Sequence, residues 1–277
     1  MTPLDFALFA FPVSVGAGLL GSLLGFGGGV IIVPALTLLL EMDIRFAIGA
    51  SIISVIATST ASSSAYLRKG LVNLRVGMFL ELAMVGGALA GALAVGWVPK
   101  SWLYLLFAGM LLFSAVAMLR RGGSEAAPVP DDSLADALRL HGSYFDDATG
   151  RSVCYRVARP RLGFAIMFFV GAASGMLGAG AGALRVPATD LAMRLPMKVS
   201  AATSTFMLGV TATASAGVYF ARGDIDAFIA APVAAGVLAG SSIGSTLLGR
   251  INTRVLRWVF VLVLCWIGVE MLRKGLR

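Results

Sequence analysis

Charge is what this chain has least of. Of its 277 residues only 13% are Asp, Glu, Lys or Arg, against about 25% in an ordinary soluble domain, and the mean hydropathy is +0.90. Histidine occurs once, at His141, and cysteine twice, at Cys154 and Cys265. That excludes a disulfide framework and a Cys/His metal cluster, so neither metal nor cofactor is expected. No G-x-x-x-x-G-K-[ST] segment is present to cradle ATP, and no H-E-x-x-H to hold zinc. A serine hydrolase would lack an intramembrane histidine as base. An enzyme is not expected.

Uncharged length takes the place of charge. The runs are Phe6–Leu40, Phe46–Leu67, Leu82–Pro99, Ser101–Leu119, Leu162–Leu184, Val199–Ala221 and Ala227–Gly249. About 20 apolar residues carry a helix across the hydrocarbon core, so the chain reads as an all-α polytopic membrane protein. The formal net charge of +8 comes from Lys and Arg flanking these runs, the usual cytoplasmic bias of membrane proteins. Nucleic acid is therefore not an expected partner. Met1–Asp5 has no basic segment, so the first run reads as a retained span and not a cleaved signal.

Self-comparison divides the chain. Gly25-Phe26-Gly27-Gly28-Gly29 with Pro34 returns as Gly178-Ala179-Gly180-Ala181-Gly182 with Pro187, an offset of 187 − 34 = 153. The same offset maps Ser51 to Ser204, Tyr66 to Tyr219, Gly70 to Gly223, Gly87 to Gly240, Phe107 to Phe260 and Arg120 to Arg273. Pro, Tyr, Phe and Arg matches in one register mark a duplication. The expected division is 1–121 as the first membrane repeat, 122–160 as a cytoplasmic linker, and 161–277 as the second repeat.

Each repeat reads as about four long helices plus one half-helix after a glycine-rich break. The expected helices cover 6–24, 46–67, 76–97 and 101–119, then 162–177, 199–220, 227–249 and 253–272. Four glycines between Gly25 and Val33 disfavour helix, and Pro suits a first helical turn. Extended chain is therefore expected up to Pro34, with a half-helix from there to Glu41. Its eight residues reach only roughly 12 Å. If the half-helix returns the chain to the side it came from, the repeats are inverted; if it completes the crossing, they are parallel. Inversion is the expectation, because duplicated carriers often have it. In the linker, Gly122–Asp136 reads as a flexible tether. Leu138–Phe145 and Arg151–Val157 read as a hairpin around turn residues, either a packing flap or a regulatory element.

Non-helical backbone at membrane depth must be buried in protein or line a wet cavity. Half-helix N-termini favour anions. This singles out Gly25, Gly27, Gly28, Gly29 and Pro34 with Gly178, Gly180, Gly182 and Pro187 as candidate substrate-binding residues; the alternative is that the glycines only allow close packing. Arg185, where the first repeat has Ile32, is a costly cation inside a membrane segment. Its planar fork suits an oxyanion, or it pairs with Asp190. Ser51, Thr58 and Ser62, repeated as Ser204, Thr211 and Ser215, form one helical face, with Ser51 and Ser204 as the best substrate contacts. Interhelical glue is the equal alternative. The Gly87/Gly91 and Gly236/Gly240/Gly244 faces read as packing. Glu81 and Asp190 are candidates for proton coupling, unless Glu81 snorkels to the interface beside Arg75.

The paired tracts Gly25-Phe26-Gly27-Gly28-Gly29 with Pro34, and Gly178-Ala179-Gly180-Ala181-Gly182 with Pro187, resemble the TauE/SafE sulfite exporter family (the four-toluene-sulfonate uptake permeases). The resemblance spans roughly 10–120 and 161–275. It implies a multi-pass carrier of the bacterial inner membrane that exports sulfite, sulfonates or related small anions by secondary transport. It leaves the linker unexplained, and Ala179 and Ala181 depart from the first repeat's glycines. A passive anion channel and a membrane scaffold acting through its linker are the competing expectations. Oligomeric state is not legible.

Overall fold

The computed structural model of the chain describes residues 3–24, 28–120, 132–147, 149–177, 182–247 and 253–276. The first five helices are α1 (Pro3–Leu24), α2 (Gly29–Leu39), α3 (Ile44–Arg68), α4 (Leu74–Ala94) and α5 (Lys100–Arg120). A small insert follows, with α6 (Ser133–Ala137), β1 (Gly142–Asp146) and β2 (Arg151–Tyr155). Then come α7 (Pro160–Leu177), α8 (Gly182–Met193), α9 (Met197–Ala221), α10 (Ala227–Leu247) and α11 (Thr253–Gly275). Among the described residues, α1, α3, α4, α7 and α10 are long and apolar enough to cross a membrane. Phe9, Leu82, Phe169 and Phe228 are exposed, while Ser51, Thr58, Ser62, Thr203 and Ser204 are buried. Large apolar side chains outside and hydroxyls inside is the arrangement a lipid solvent selects.

Contacts repeat across the chain in the register of the sequence. Helix α1 packs on α10 and α4 on α7, and α3 pairs with α9 as α5 does with α11. The backbone of Gly240 lies against Val15 and Leu19; that of Gly87 lies against Phe168 and Ala172, the matching positions. Tyr66 donates to the carbonyl of Ser22 at 2.6 Å and Tyr219 to that of Gly175 at 2.8 Å. These carbonyls lie in the last turns of α1 and α7, where helical N–H donors run out and lipid offers no replacement. Equivalent helices run antiparallel. The start of α3 meets the end of α9, with Gly49 against Asp224, and Gly275 of α11 lies against Tyr104 of α5.

The half-helices begin earlier than expected. α2 starts at Gly29 and α8 at Gly182, so each proline is the sixth residue of its helix. Gly28 turns with φ +75°, and its carbonyl accepts from Ile31 and Ile32 N–H at 2.9 and 3.0 Å. Val30, Ile32 and Val33 are fully buried. Burying these side chains outweighs the low propensity of one glycine, and a proline this near the N-terminus removes only one ladder bond. Gly29–Val33 and Arg185 are thus helical, not extended. Gly28 lies beside Ala17, mid-way along α1, while the far end of α2 meets the last turn of α11 through Lys274 and the Thr37 carbonyl.

Both half-helices close the same way. Glu41 and Arg194, equivalent residues, take left-handed φ values of 50° and 56°. Met42 N–H then reaches the Leu36 carbonyl at 3.2 Å, and Leu195 N–H that of Thr189 at 3.4 Å. An L residue in this conformation costs about 1 kcal/mol, and glycine is the usual occupant. The solvent-facing Glu41→Gly variant should therefore unfold at higher temperature than the parent in detergent; an unchanged or lower midpoint contradicts this.

The insert is docked. Of the expected tether, 133–136 is helical because Asp132 caps α6 through Leu134 and Ala135 N–H; residues 122–131 lie outside the described ones. The hairpin is present, with Gly142 paired to Tyr155 and Asp146 to Arg151. Asn73, which caps α4, donates to the Leu140 carbonyl at 2.8 Å and to the Tyr155 hydroxyl at 3.0 Å. Burial lifts the Tyr155 hydroxyl above its ordinary pKa in spite of that bond. On the α9 side, Lys198 meets Asp146 at 2.5 Å.

Candidate functional site

Four helices bring polar side chains to one buried point. Arg185 is the fourth residue of α8 and is 0% exposed. Its position is doubly unfavourable for a cation. The first turn of a helix already presents unpaired N–H groups and the positive end of the dipole, and burial removes the water that would solvate the charge. Its Nη2 reaches Ser174 Oγ of α7 at 3.4 Å, while Nε and Nη1 have no acceptor among the described residues. Glu81 comes from α4 and stands within electrostatic reach of Arg185, with no ion pair or hydrogen bond joining the two. Its Oε1 accepts a 2.6 Å bond from Thr211 Oγ1 of α9, and its Oε2 is buried without a hydrogen-bond partner among the described residues. Ser204, two turns before Thr211 on the same face of α9, is fully buried, and its hydroxyl has no hydrogen-bond partner among the described residues.

Glu81 therefore faces inward and does not snorkel. Arg75, two turns away on α4, instead donates to the Arg139 carbonyl of the insert at 3.0 Å. The alternative reading, a salt bridge between Arg185 and Asp190, is poorly served by their spacing: five positions put them roughly 140° apart around α8. Asp190 is buried on that other side.

The remaining candidates sort as follows. Gly25, Gly27, Gly178 and Gly180 lie outside the described residues. Gly28 and Gly29 open α2, Gly182 opens α8, and Pro34 is buried inside α2. For Pro187 the structure gives its place in α8. Ser51 is buried at the equivalent of Ser204, but no charged pair stands near its level of the sequence: the counterparts of Arg185 and Glu81 are Ile32 and Ala234. Much of the hydroxyl stripe bonds backward within its own helix, Thr58 to the Ser54 carbonyl and Ser215 to that of Thr211. Ser174 was not legible in advance, since its counterpart, Gly21, carries no hydroxyl. A separate groove of about 450 Å³ is lined by the apolar residues Ala7, Leu8, Phe11 and Pro232.

With this geometry in place, comparison decides the lineage. The family model described as sulfite exporter TauE/SafE matches residues 10–271. The chain belongs to the TauE/SafE family. A probable membrane transporter protein, YunE of Bacillus subtilis, is 29% identical over 94% of this chain and 95% of its own. YdhB of the same organism, also a probable membrane transporter protein, is 33% identical over 37% of this chain and 43% of its own. A probable membrane transporter protein of Xylella fastidiosa strain 9a5c is 27% identical over 95% of both chains. No solved structure matches significantly. The TauE/SafE chain is thus a multi-pass membrane transporter and not an enzyme, and the polar cluster lies within the matched region.

Proposed function

We propose that this TauE/SafE chain is a secondary carrier that exports a small sulfur oxyanion or organosulfonate, and that the anion sits on Arg185 at the head of α8. The observation that carries this reading is Arg185 itself, fully buried with two donor nitrogens lacking an acceptor among the described residues. Ser204, Ser174 and the N-terminal amides of α8 supply neutral donors around it, and Gly28 and Gly29 open the matching end of α2 near mid-membrane. Enclosure on all sides fits a closed state between two access states.

Two repeats, 1–121 and 161–277, inverted about an axis in the membrane plane, would provide that exchange. The antiparallel run of α3 against α9 and of α5 against α11 supports inversion, as does the return of α2 toward the side where α1 begins. The carrier would reside in a bacterial inner membrane with the 122–160 linker in the cytoplasm. A reporter fused to the C-terminus should then be periplasmic, and a cytoplasmic signal would overturn inversion.

The anion site is tested by thermal unfolding of purified protein with sulfite, thiosulfate, methanesulfonate or acetate. A ligand at 100 times its Kd stabilises the native state by about 2.7 kcal/mol. The sulfur anions should raise the midpoint. Arg185→Gln should weaken binding about 100-fold, as expected when a buried charged contact is removed. Equal shifts in parent and variant would overturn the assignment. In proteoliposomes, accumulation against a concentration gradient separates a carrier from a channel.

A further inference from the structure

Glu81 is not used by the anion site as described, yet it faces it. On α4 the other ionisable group is Arg75, held by the insert. On α7 it is Arg161, exposed in the first turn. On α9, Lys198 is held by Asp146 and Tyr219 bonds the Gly175 carbonyl. On α8 it is Asp190, around the helix from Arg185. Among the described residues, the charge that acts on Glu81 is that of Arg185.

Electroneutrality then restricts which states can exist at this depth. With no substrate, Arg185 and ionised Glu81 compensate each other. Adding a monovalent anion to that pair leaves one uncompensated negative charge, and burying such a charge costs several kcal/mol. Adding the anion together with a proton on Glu81 restores neutrality. Thr211 can serve both carboxyl states. Its hydroxyl donates to ionised Oε1 at 2.6 Å, and it also lies 3.1 Å from the Met207 carbonyl. It can therefore turn its proton to Met207 and accept from a protonated Glu81.

We propose that Glu81 is the built-in counter-ion of Arg185, and that one proton and one anion occupy and leave the cluster together. The anion takes the guanidinium fork as the carboxylate gains its proton. Loss of that proton returns the carboxylate to Arg185 and expels the anion. The carrier is thereby a one-to-one anion–proton symporter, and it exports when the outward anion gradient exceeds the inward proton gradient. This rests on the Arg185 anion site proposed above.

Methanesulfonate is the probe, because its charge stays fixed across the working pH range. Wild-type affinity should fall about tenfold per pH unit once Glu81 is ionised, as one linked proton requires. In Glu81→Gln, affinity should be independent of pH. In proteoliposomes an inward proton gradient should drive uphill methanesulfonate uptake by wild type and not by Glu81→Gln. Thr211→Val removes the donor to the carboxylate while keeping Glu81, so its binding should persist to higher pH than wild type; a purely structural role would not move that midpoint. Wild-type binding without pH dependence, or proton-driven uptake surviving in Glu81→Gln, overturns the coupling and leaves the anion site standing. Methanesulfonate binding that survives Arg185→Gln overturns the site itself.

Discussion

Gly240→Val and Gly87→Val are each expected to abolish recovery of folded, monodisperse protein, and to do so to the same degree. A Cβ at Gly240 would meet the carbonyl of Val15 and the backbone nitrogen of Leu19, and one at Gly87 the carbonyl of Phe168 and the backbone nitrogen of Ala172. Both neighbours are helical backbone, which has no rotamer to move into. The helices would have to separate along their whole length, α10 from α1 and α4 from α7. Ordinary overpacking costs about 1–3 kcal/mol because side chains give way; here they cannot, so the penalty is larger. It is multiplied along the seam, because Gly236 and Gly244 touch α1 and Gly91 touches α7 in the same fashion. Packing between helices in lipid depends on such close approach, there being little hydrophobic drive between them. The control is Gly109→Ala on α5, where an added Cβ meets nothing within 4 Å and alanine improves helix propensity by about 1 kcal/mol. It should raise the unfolding midpoint. Size-exclusion profiles of the three variants in one detergent check the claim. A Gly240→Val peak matching that of Gly109→Ala would show that the seam has slack.

The seam was legible because it is periodic. A spacing of four residues, repeated at an offset of 153, names a helix face whatever it packs against. The eight long helices were legible for a related reason, since apolar length is a one-dimensional signal. The start of each half-helix was not. Proline at a first turn is a preference of isolated helices, and here burial of Val30, Ile32 and Val33 extends the helix five residues upstream. The polar cluster was half legible. Arg185 and Glu81 stand out as charges in apolar runs, but they are 104 positions apart, and the nearer acid in sequence, Asp190, supplied the alternative pairing. Spacing on α8 argued against that pairing. What sequence could not supply is that α4 crosses α9 at the level of Thr211, which turns Glu81 toward the arginine and away from the interface. Absence of ionisable residues at Ile32 and Ala234 was a usable signal, because two charges that each lack a counterpart in the other repeat suggest two groups that require each other.

The same reasoning about buried charge fixes what the insert does for the membrane part. Lys198 is the second residue of α9 and 1% exposed, a cation in a helical first turn where the dipole opposes it. Asp146, at the end of β1, compensates it and also accepts from Thr149 Oγ1 at 3.0 Å. Removing one member of a buried pair costs about 3–5 kcal/mol, whereas replacing both by apolar groups is often neutral. Asp146→Ala should therefore destabilise the whole transporter by about that amount. Lys198→Met combined with Asp146→Leu should recover most of the loss. Excising 132–158 should be as damaging as Asp146→Ala, and Lys198→Met should partly rescue the excised chain, because the neutral side chain no longer needs a carboxylate. Rescue of this kind would separate a docked structural flap from a partner-binding module. A flap that acts as a scaffold could be removed with no effect on unfolding, and Lys198→Met would then bring no benefit. Chemical unfolding of the five proteins, followed by far-UV circular dichroism in detergent, distinguishes the two. Equal midpoints for parent and Asp146→Ala would mean that solvent reaches the pair and that the insert rides on the membrane part without supporting it.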